Sequence, residues 1–251
     1  GRVLRTFRLG KVAFGHVEDL RRAARERGRI VVIVRPVVFL DGKGAAAAGR
    51  RFADWTSMIE RALAPGERYT ATCAGESTDF ARMNRGKVRQ AGSVLQNELS
   101  IRLVRGARHA EHTLAMTGDA PVDREAIVDA VEGLRDVLPD LADDPPLLLA
   151  DRVESTRVER AGALPPAESV VEQILAAAHG LDLVGIYAAG PVWRGFANAE
   201  GQRNWHLAET FNLQWSLYDR TDKAVKSACA GFAWDGGELA RRMAQARERL
   251  A

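Results

Sequence analysis

The chain is poor in cysteine, has no long apolar run, and carries none of the short motifs that mark metal or nucleophile hydrolases. Its two cysteines, Cys73 and Cys229, lack metal-type spacing and fall on segments read as buried strands. That predicts reduced thiols in a reducing compartment, and hence a cytoplasmic protein. The longest apolar run, Ile30 to Leu40, is broken by Arg35 and Pro36 and falls short of the ~20 residues that a membrane-spanning helix needs, so no membrane association is expected. No basic–apolar leader is present, and the chain starts at Gly1, which reads as a trimmed or processed start. HExxH, HExxxH, CxxC and GxSxG are all missing, and with them the usual signatures of zinc hydrolases and of the serine nucleophile elbow. The histidines (His16, His109, His112, His179 and His206) are scattered. His109 and His112 lie on a segment read as a strand, where a separation of three sends side chains to opposite faces and excludes a shared metal. No cofactor is expected in this chain.

What remains is a 251-residue, 27.4 kDa chain, long enough for one large or two small domains with a substantial core. The net charge of +3 hides an asymmetry: residues 1–64 carry 14 Lys/Arg against 6 Asp/Glu, and residues 65–251 carry 22 against 27. A basic N-terminal segment, 1–51, thus precedes a mildly acidic body. Arg21, Arg22, Arg25, Arg27 and Arg29 can reach phosphate, but no recognisable nucleic-acid fold or aromatic interleaving accompanies them; a solvated helix face is expected, and nucleic acid is not an expected partner. Gly44 and Gly49 have phosphate-loop spacing, yet Arg50 and Arg51 occupy the positions of the obligatory Lys and Ser/Thr. The Ala-rich 42–49 stretch therefore reads as a flexible linker.

Periodicity predicts an α+β fold of two antiparallel sheet-and-helix units: a β-meander plus helix, then a helix plus long antiparallel hairpins. A charged helix over 16–28 and a β-rich 30–40 segment fall in the unassigned basic segment and precede the first unit, 52–150. It comprises a helix over 51–64 with Phe52, Trp55, Ile59 and Leu63 on one face, a meander from Tyr69 to Met116 turning at Asn84-Arg85-Gly86 and Arg105-Gly106-Ala107, and a helix capped by Asp123. That helix carries Ile127, Val131, Leu134 and Leu138 and is broken by Pro139. Five prolines between 139 and 166 mark the boundary. The second unit, 151–251, holds a helix over 167–179, strands near 182–190, 192–198, 202–218 and 221–234 forming a second sheet, and a last helix with Asp235 and Glu238 at capping-box spacing. That helix runs to the end of the chain, as though more protein should follow.

The most informative stretch is Gly185 to Tyr218. From Trp205 the odd positions run Trp, Leu, Glu, Phe, Leu, Trp, Leu and the even ones His, Ala, Thr, Asn, Gln, Ser, Tyr, a period-two strand with one apolar face and one uncharged polar face. Amides, hydroxyls and an imidazole suit hydrogen bonding to peptide groups better than phosphate binding. An ordinary solvated sheet face has the same pattern. Asn84, Arg194, Asn198, Arg203, Asn204, His206 and Asn212 are the candidate peptide or interface residues, and the strand's length suggests ends that project toward another domain or subunit. No catalytic residue is assigned. Glu209, the carboxylate on the apolar face, needs a partner such as Arg194 or Arg203. Trp193, Trp205, Trp215 and Trp234, opposite the small residues 227–231, read as core.

Two stretches, FARMNRGKVRQAG (80–92) and GIYAAGPVWRGFANAEGQRNW (185–205), with FNLQWSLYDRTDKAVKSACAGFAWD after them, resemble the TldD/PmbA family of zinc-dependent peptidases, on the PmbA (TldE) side. The resemblance covers about 52–251. It implies that 52–150 is the N-terminal domain and 151–251 the middle domain of such a protein, with the C-terminal domain absent from this chain. It further implies a non-catalytic PmbA-like subunit that pairs with a TldD-like subunit or itself to enclose a chamber for small or unfolded peptides. Any zinc would lie in the partner or in the missing domain. A stand-alone peptide-binding module and a nucleic-acid-associated regulator, after the family's gyrase-modulator label, remain as alternatives.

Overall fold

The computed structural model describes residues 44–219 and 223–250. The expected helix over 16–28 and the β-rich segment 30–40 lie outside them. Helix α1 spans Gly44–Ala62, so the Ala-rich stretch expected to be a linker is the first turns of a helix. Alanine is the best helix former, and four in succession outweigh the flanking glycines. On α1, Ala48, Phe52, Trp55 and Ile59 are all buried. Strands β1 (Arg68–Asn84), β2 (Lys87–Arg105) and β3 (Arg108–Ala115) form the expected meander. Its first turn places Arg85 and Gly86 at φ +53° and +62°, the conformation that a two-residue hairpin of native twist requires.

Helix α2 covers Ala120–Val137 and buries Ile127, Val131 and Leu134 as the periodicity predicts. Its cap is Asp119, not Asp123: the Asp119 carboxylate accepts the Val122 N–H at 3.3 Å. Asp123 sits one turn inside, 1 % exposed. It accepts from the Trp55 indole Nε1 at 2.9 Å, from Thr117 N–H and Oγ1 at 2.8 Å, and from Gly118 N–H at 2.9 Å. A buried carboxylate with several donors is satisfied, and this one ties α1 to the start of α2.

The second half contributes β4 (Thr156–Arg160), α3 (Ala167–Ala177), β5 (Asp182–Asn198), β6 (Arg203–Tyr218), β7 (Ala224–Gly231) and α4 (Gly236–Leu250). The stretches expected as two strands, 182–190 and 192–198, form the single strand β5. Asp235 accepts the Glu238 N–H at 3.0 Å at the head of α4, as its spacing predicts.

The fold is α+β, but the strands make one sheet rather than two. The order is β3-β2-β1-β5-β6-β4, with β7 also on β6. The joint is antiparallel pairing of β1 with β5, from Thr70 opposite Asn198 to Met83 opposite Gly185. Sequence periodicity shows that each strand has a buried face; it does not show which strand lies beside which. Strand β4 runs parallel to β6, and β7 antiparallel to it. They share one edge of β6, β4 along 204–208 and β7 along 211–218.

Odd-numbered residues of β1, β5 and β6 face the helices along the whole sheet. Tyr69, Ala71, Cys73, Leu99, Ile101, Leu103, Trp193 and Trp205 pack with α1 and α2. Met83, Leu183, Tyr187, Phe211, Leu213, Trp215 and Leu217 pack with α3 and α4. Strand β6 is long because it floors both cores. It is paired to β5 from Arg203 to Tyr218, so its ends do not project beyond the domain.

Glu67 closes the turn after α1. Its side chain is fully buried and receives Arg135 through two nitrogens at 2.7 and 2.9 Å, Arg105 at 3.1 Å and the Ala64 N–H at 2.7 Å. Burial by itself would raise the carboxyl's pKa. The Arg135 hydrogen bonds, the Ala64 N–H and the charges of Arg135 and Arg105 outweigh it, and the pKa falls below the ordinary 4.5. A carboxyl with a lowered folded-state pKa stabilises the fold above its unfolded value, and that stability is lost as pH falls through the folded value. Glu67→Gln is expected to cost about 3 kcal/mol at neutral pH in urea unfolding. The gap to the parent protein should close as the pH drops below 4.5; a gap independent of pH would contradict the ion-pair account.

Candidate functional site: the uncovered sheet face

Since all four described helices lie on one side, the even-numbered residues of the central strands form an uncovered face. Its composition follows from the register. In one row across the sheet, Val158, His206, Arg194, Ala74 and Glu98 stand side by side on β4, β6, β5, β1 and β2. In another, Ala230, Asn212, Ala188, Phe80 and Gly92 do so on β7, β6, β5, β1 and β2. Directly opposed side chains in such rows have Cβ atoms ~5 Å apart. Charge of both signs is interspersed: Arg194, Arg82, Glu98 and Glu76, the last accepting the Thr78 hydroxyl at 2.8 Å and an amide hydrogen of Gln96. This is a hydrogen-bonding surface, without the single-sign field that marks a phosphate track.

The structure separates the seven candidates. His206 and Asn212 are exposed on this face, and neither has a hydrogen-bond partner among the described residues. Arg194 is also exposed there and donates to the Trp193 carbonyl at 2.9 Å. Asn84 is exposed at the distant β1–β2 turn. The other three hold the fold. Asn198 is 2 % exposed and accepts the Gln202 N–H at 2.9 Å across the β5–β6 turn. Arg203, an odd residue on the helix side, pairs with Glu60 and donates to the carbonyls of Asn198 and Gln202. Asn204 donates to the Glu154 carbonyl at 2.8 Å and to the Thr156 hydroxyl at 2.9 Å, which fastens β4 to the sheet.

The expected partner of Glu209 is also different. Its carboxylate accepts the Gly162 N–H at 3.1 Å, because the chain leaving β4 passes along the edge of β6 before Ala163 bridges to Ala233; neither arginine is its partner.

Sequence reasoning passed over the apolar members of this face. Val158, Ile186 and Val184 are 51 %, 43 % and 36 % exposed. The even positions of β5 carry the signal for the last two. Strand β4, exposed along its whole length and lying among prolines, has no alternation to reveal it.

Nucleophile chemistry finds no support here. Burial pushes the Cys73 thiol up to about 12, against a smaller opposite pull from Arg194, and burial likewise raises Cys229. Both are thiols rather than thiolates at neutral pH. Tyr187 is pushed up to about 12 by burial and by the Asp79 charge. Among the described residues no three His, Cys, Asp or Glu side chains are grouped to hold a metal, and His109 is bound to Asp144 at 2.9 Å. No described helix is long and apolar enough to cross a membrane.

A seven-stranded, mostly antiparallel sheet with its helices on one side defines the class of fold. No protein-family model matches the chain, and no curated protein is similar to it in sequence. Solved structures do share the fold. TldE from Thermococcus kodakarensis matches at TM-score 0.55 and 12 % identity, over 79 % of this chain and 47 % of that one. A proposed modulator of DNA gyrase from Bacteroides thetaiotaomicron matches at 0.57 and 12 %, over 81 % and 50 %. Another from Thermotoga maritima matches at 0.53 and 8 %, over 78 % and 47 %. The resemblance read in the sequence is thus present as a likeness of fold, and the chain spans about half the length of these structures.

Asn204→Ala is expected to cost about 1 kcal/mol and to speed amide exchange selectively along 156–160. Arg194→Ala and His206→Ala should change stability by no more than about 0.5 kcal/mol. Urea unfolding with residue-resolved exchange measures both.

Proposed function

We propose that this chain is the N-terminal and middle part of a PmbA-like, non-catalytic subunit of a TldD/PmbA-type peptidase, and that its uncovered sheet face helps to wall a chamber for small or unfolded peptides. The observation that carries this reading is the face itself: hydrogen-bonding groups without a dominant charge, set among exposed Val158, Val184 and Ile186, on a fold shared with TldE. Extended peptides present backbone donors and acceptors at every residue together with alternating apolar side chains, and such a face meets both needs. On this reading the partner is a TldD-like subunit or a second copy, and the assembly is cytoplasmic. Zinc would belong to the partner subunit or to a C-terminal domain. The described residues offer it no fitting site, and no step here runs through a metal. Gyrase modulation, the description carried by two of the neighbours, is the weaker reading, because the face has no concentrated positive charge.

The chain alone is expected to leave an unstructured peptide intact, while binding it weakly through the uncovered face. Replacing Arg194 and His206 together by alanine should weaken peptide association about tenfold, on the scale of one or two lost hydrogen bonds, with the thermal transition unmoved. Mass spectrometry of the incubated peptide and fluorescence anisotropy of a labelled one measure the two. Cleavage by the purified chain, or unchanged affinity in the double variant, would sink the proposal.

A further inference from the structure

A separate concave feature lies on the helix side, where α4 runs beside β7. It is a cavity of about 230 Å³ lined by Trp215, Ser227, Glu238, Arg241, Arg242 and Arg249. Positions 238, 241, 242 and 249 recur at helical spacing and form one stripe of α4. The two oxygens of Glu238 hold Arg241 and Arg242 side by side, Arg242 Nε at 2.6 Å. Arg242 Nη1 also donates to the Ala228 carbonyl at 2.9 Å, which fixes its guanidinium against β7. Arg249 has no ion-pair or hydrogen-bond partner among the described residues. Three guanidinium groups therefore face one carboxylate. Trp215 is 2 % exposed, and its indole N–H is buried without an acceptor.

The cleft is rich in donors and short of acceptors, so a fitting ligand brings oxygen lone pairs and negative charge. Guanidinium forks match the oxygens of a phosphate group in direction and spacing. The geometry points to a binding site for a phosphate group, carried by free phosphate or by a phosphate monoester, in the cleft between α4 and β7. It is independent of the uncovered face, which lies on the other side of the sheet.

Calorimetric titration of the whole chain with inorganic phosphate and with phenyl phosphate, at low ionic strength, tests this alongside the ¹H–¹⁵N indole resonance of Trp215. Binding at one site per chain, displacement of that resonance, about tenfold weaker binding in Arg249→Ala and undiminished binding in Lys226→Ala, whose side chain lies on the opposite face of β7, are expected, the tenfold loss being typical of one charge-assisted hydrogen bond. Neither substitution removes a contact made within the described fold, and circular dichroism checks that both variants fold. Tighter binding of phenyl phosphate than of inorganic phosphate would identify a monoester as the ligand; the reverse would identify the free ion. Absence of binding at millimolar phosphate, or undiminished binding in Arg249→Ala, would overturn the site. Equally tight binding of succinate would overturn the phosphate class. Salt-dependent binding of duplex DNA that leaves the Trp215 resonance unmoved, with no response to phosphate, would make α4 a nucleic-acid surface instead.

Discussion

The pairing of β1 with β5 is the constraint on which the rest of the molecule depends. Its partners stand between 102 residues apart, for Met83 and Gly185, and 128 apart, for Thr70 and Asn198. Only when they meet does either core acquire its full floor, because Trp193, Ala197 and Trp205 complete the packing of α1 and α2 from the far end of the sequence. Contacts of such separation cost loop-closure entropy before they return any stability. Gly75 marks how closely the two strands' surfaces fit: a Cβ there would collide with the indole of Trp193, whose Nε1 reaches across to Asn97 at 3.1 Å. The ladder lapses only opposite Ser77 and Thr78, where Gly190, at φ +144°, and Pro191 stand on β5. Proline has no N–H to give, and only glycine adopts that backbone readily.

Two buried carboxylates secure the N-terminal helices by different means. Asp123 is met by N–H and O–H donors, two from the backbone and two from side chains, so its position depends on local chain geometry. Glu67 is met chiefly by guanidinium groups from β2 and α2, so it joins elements distant in sequence. Neither role follows from residue type. Asp123 stands where a helix cap is expected, and the sequence does not distinguish a carboxylate that starts a helix from one buried a turn later.

Local order was legible wherever alternation or helical spacing was strong. The meander, α2, α3, α4 and the two faces of β6 follow from the pattern of apolar residues, and the fold likeness follows from the stretches 80–92 and 185–205. Features that depend on non-local pairing were not legible. The merging of two expected sheets into one, the parallel docking of β4, and the hydrogen bond of Glu209 to the 162 segment each require a partner chosen from far along the chain. For the same reason the candidate face was only half visible. Its polar members on β6 are read directly from the alternation. Asn198 and Arg203 carry the same kinds of group, yet the β5–β6 turn and Glu60 already engage them, which no composition rule conveys.

The continuity of the sheet also determines what a cut would do. The connector 141–155 carries no helix or strand, whereas the elements on either side of it are interleaved across the β1–β5 seam. Proteolytic nicking there would produce two polypeptides on a denaturing gel and one particle on a sizing column. The connector joins the two halves covalently, but the sheet holds them together in the folded state. A chain severed at this point, or two complementary fragments expressed apart, would therefore still be one molecule in every respect except its covalent bonds.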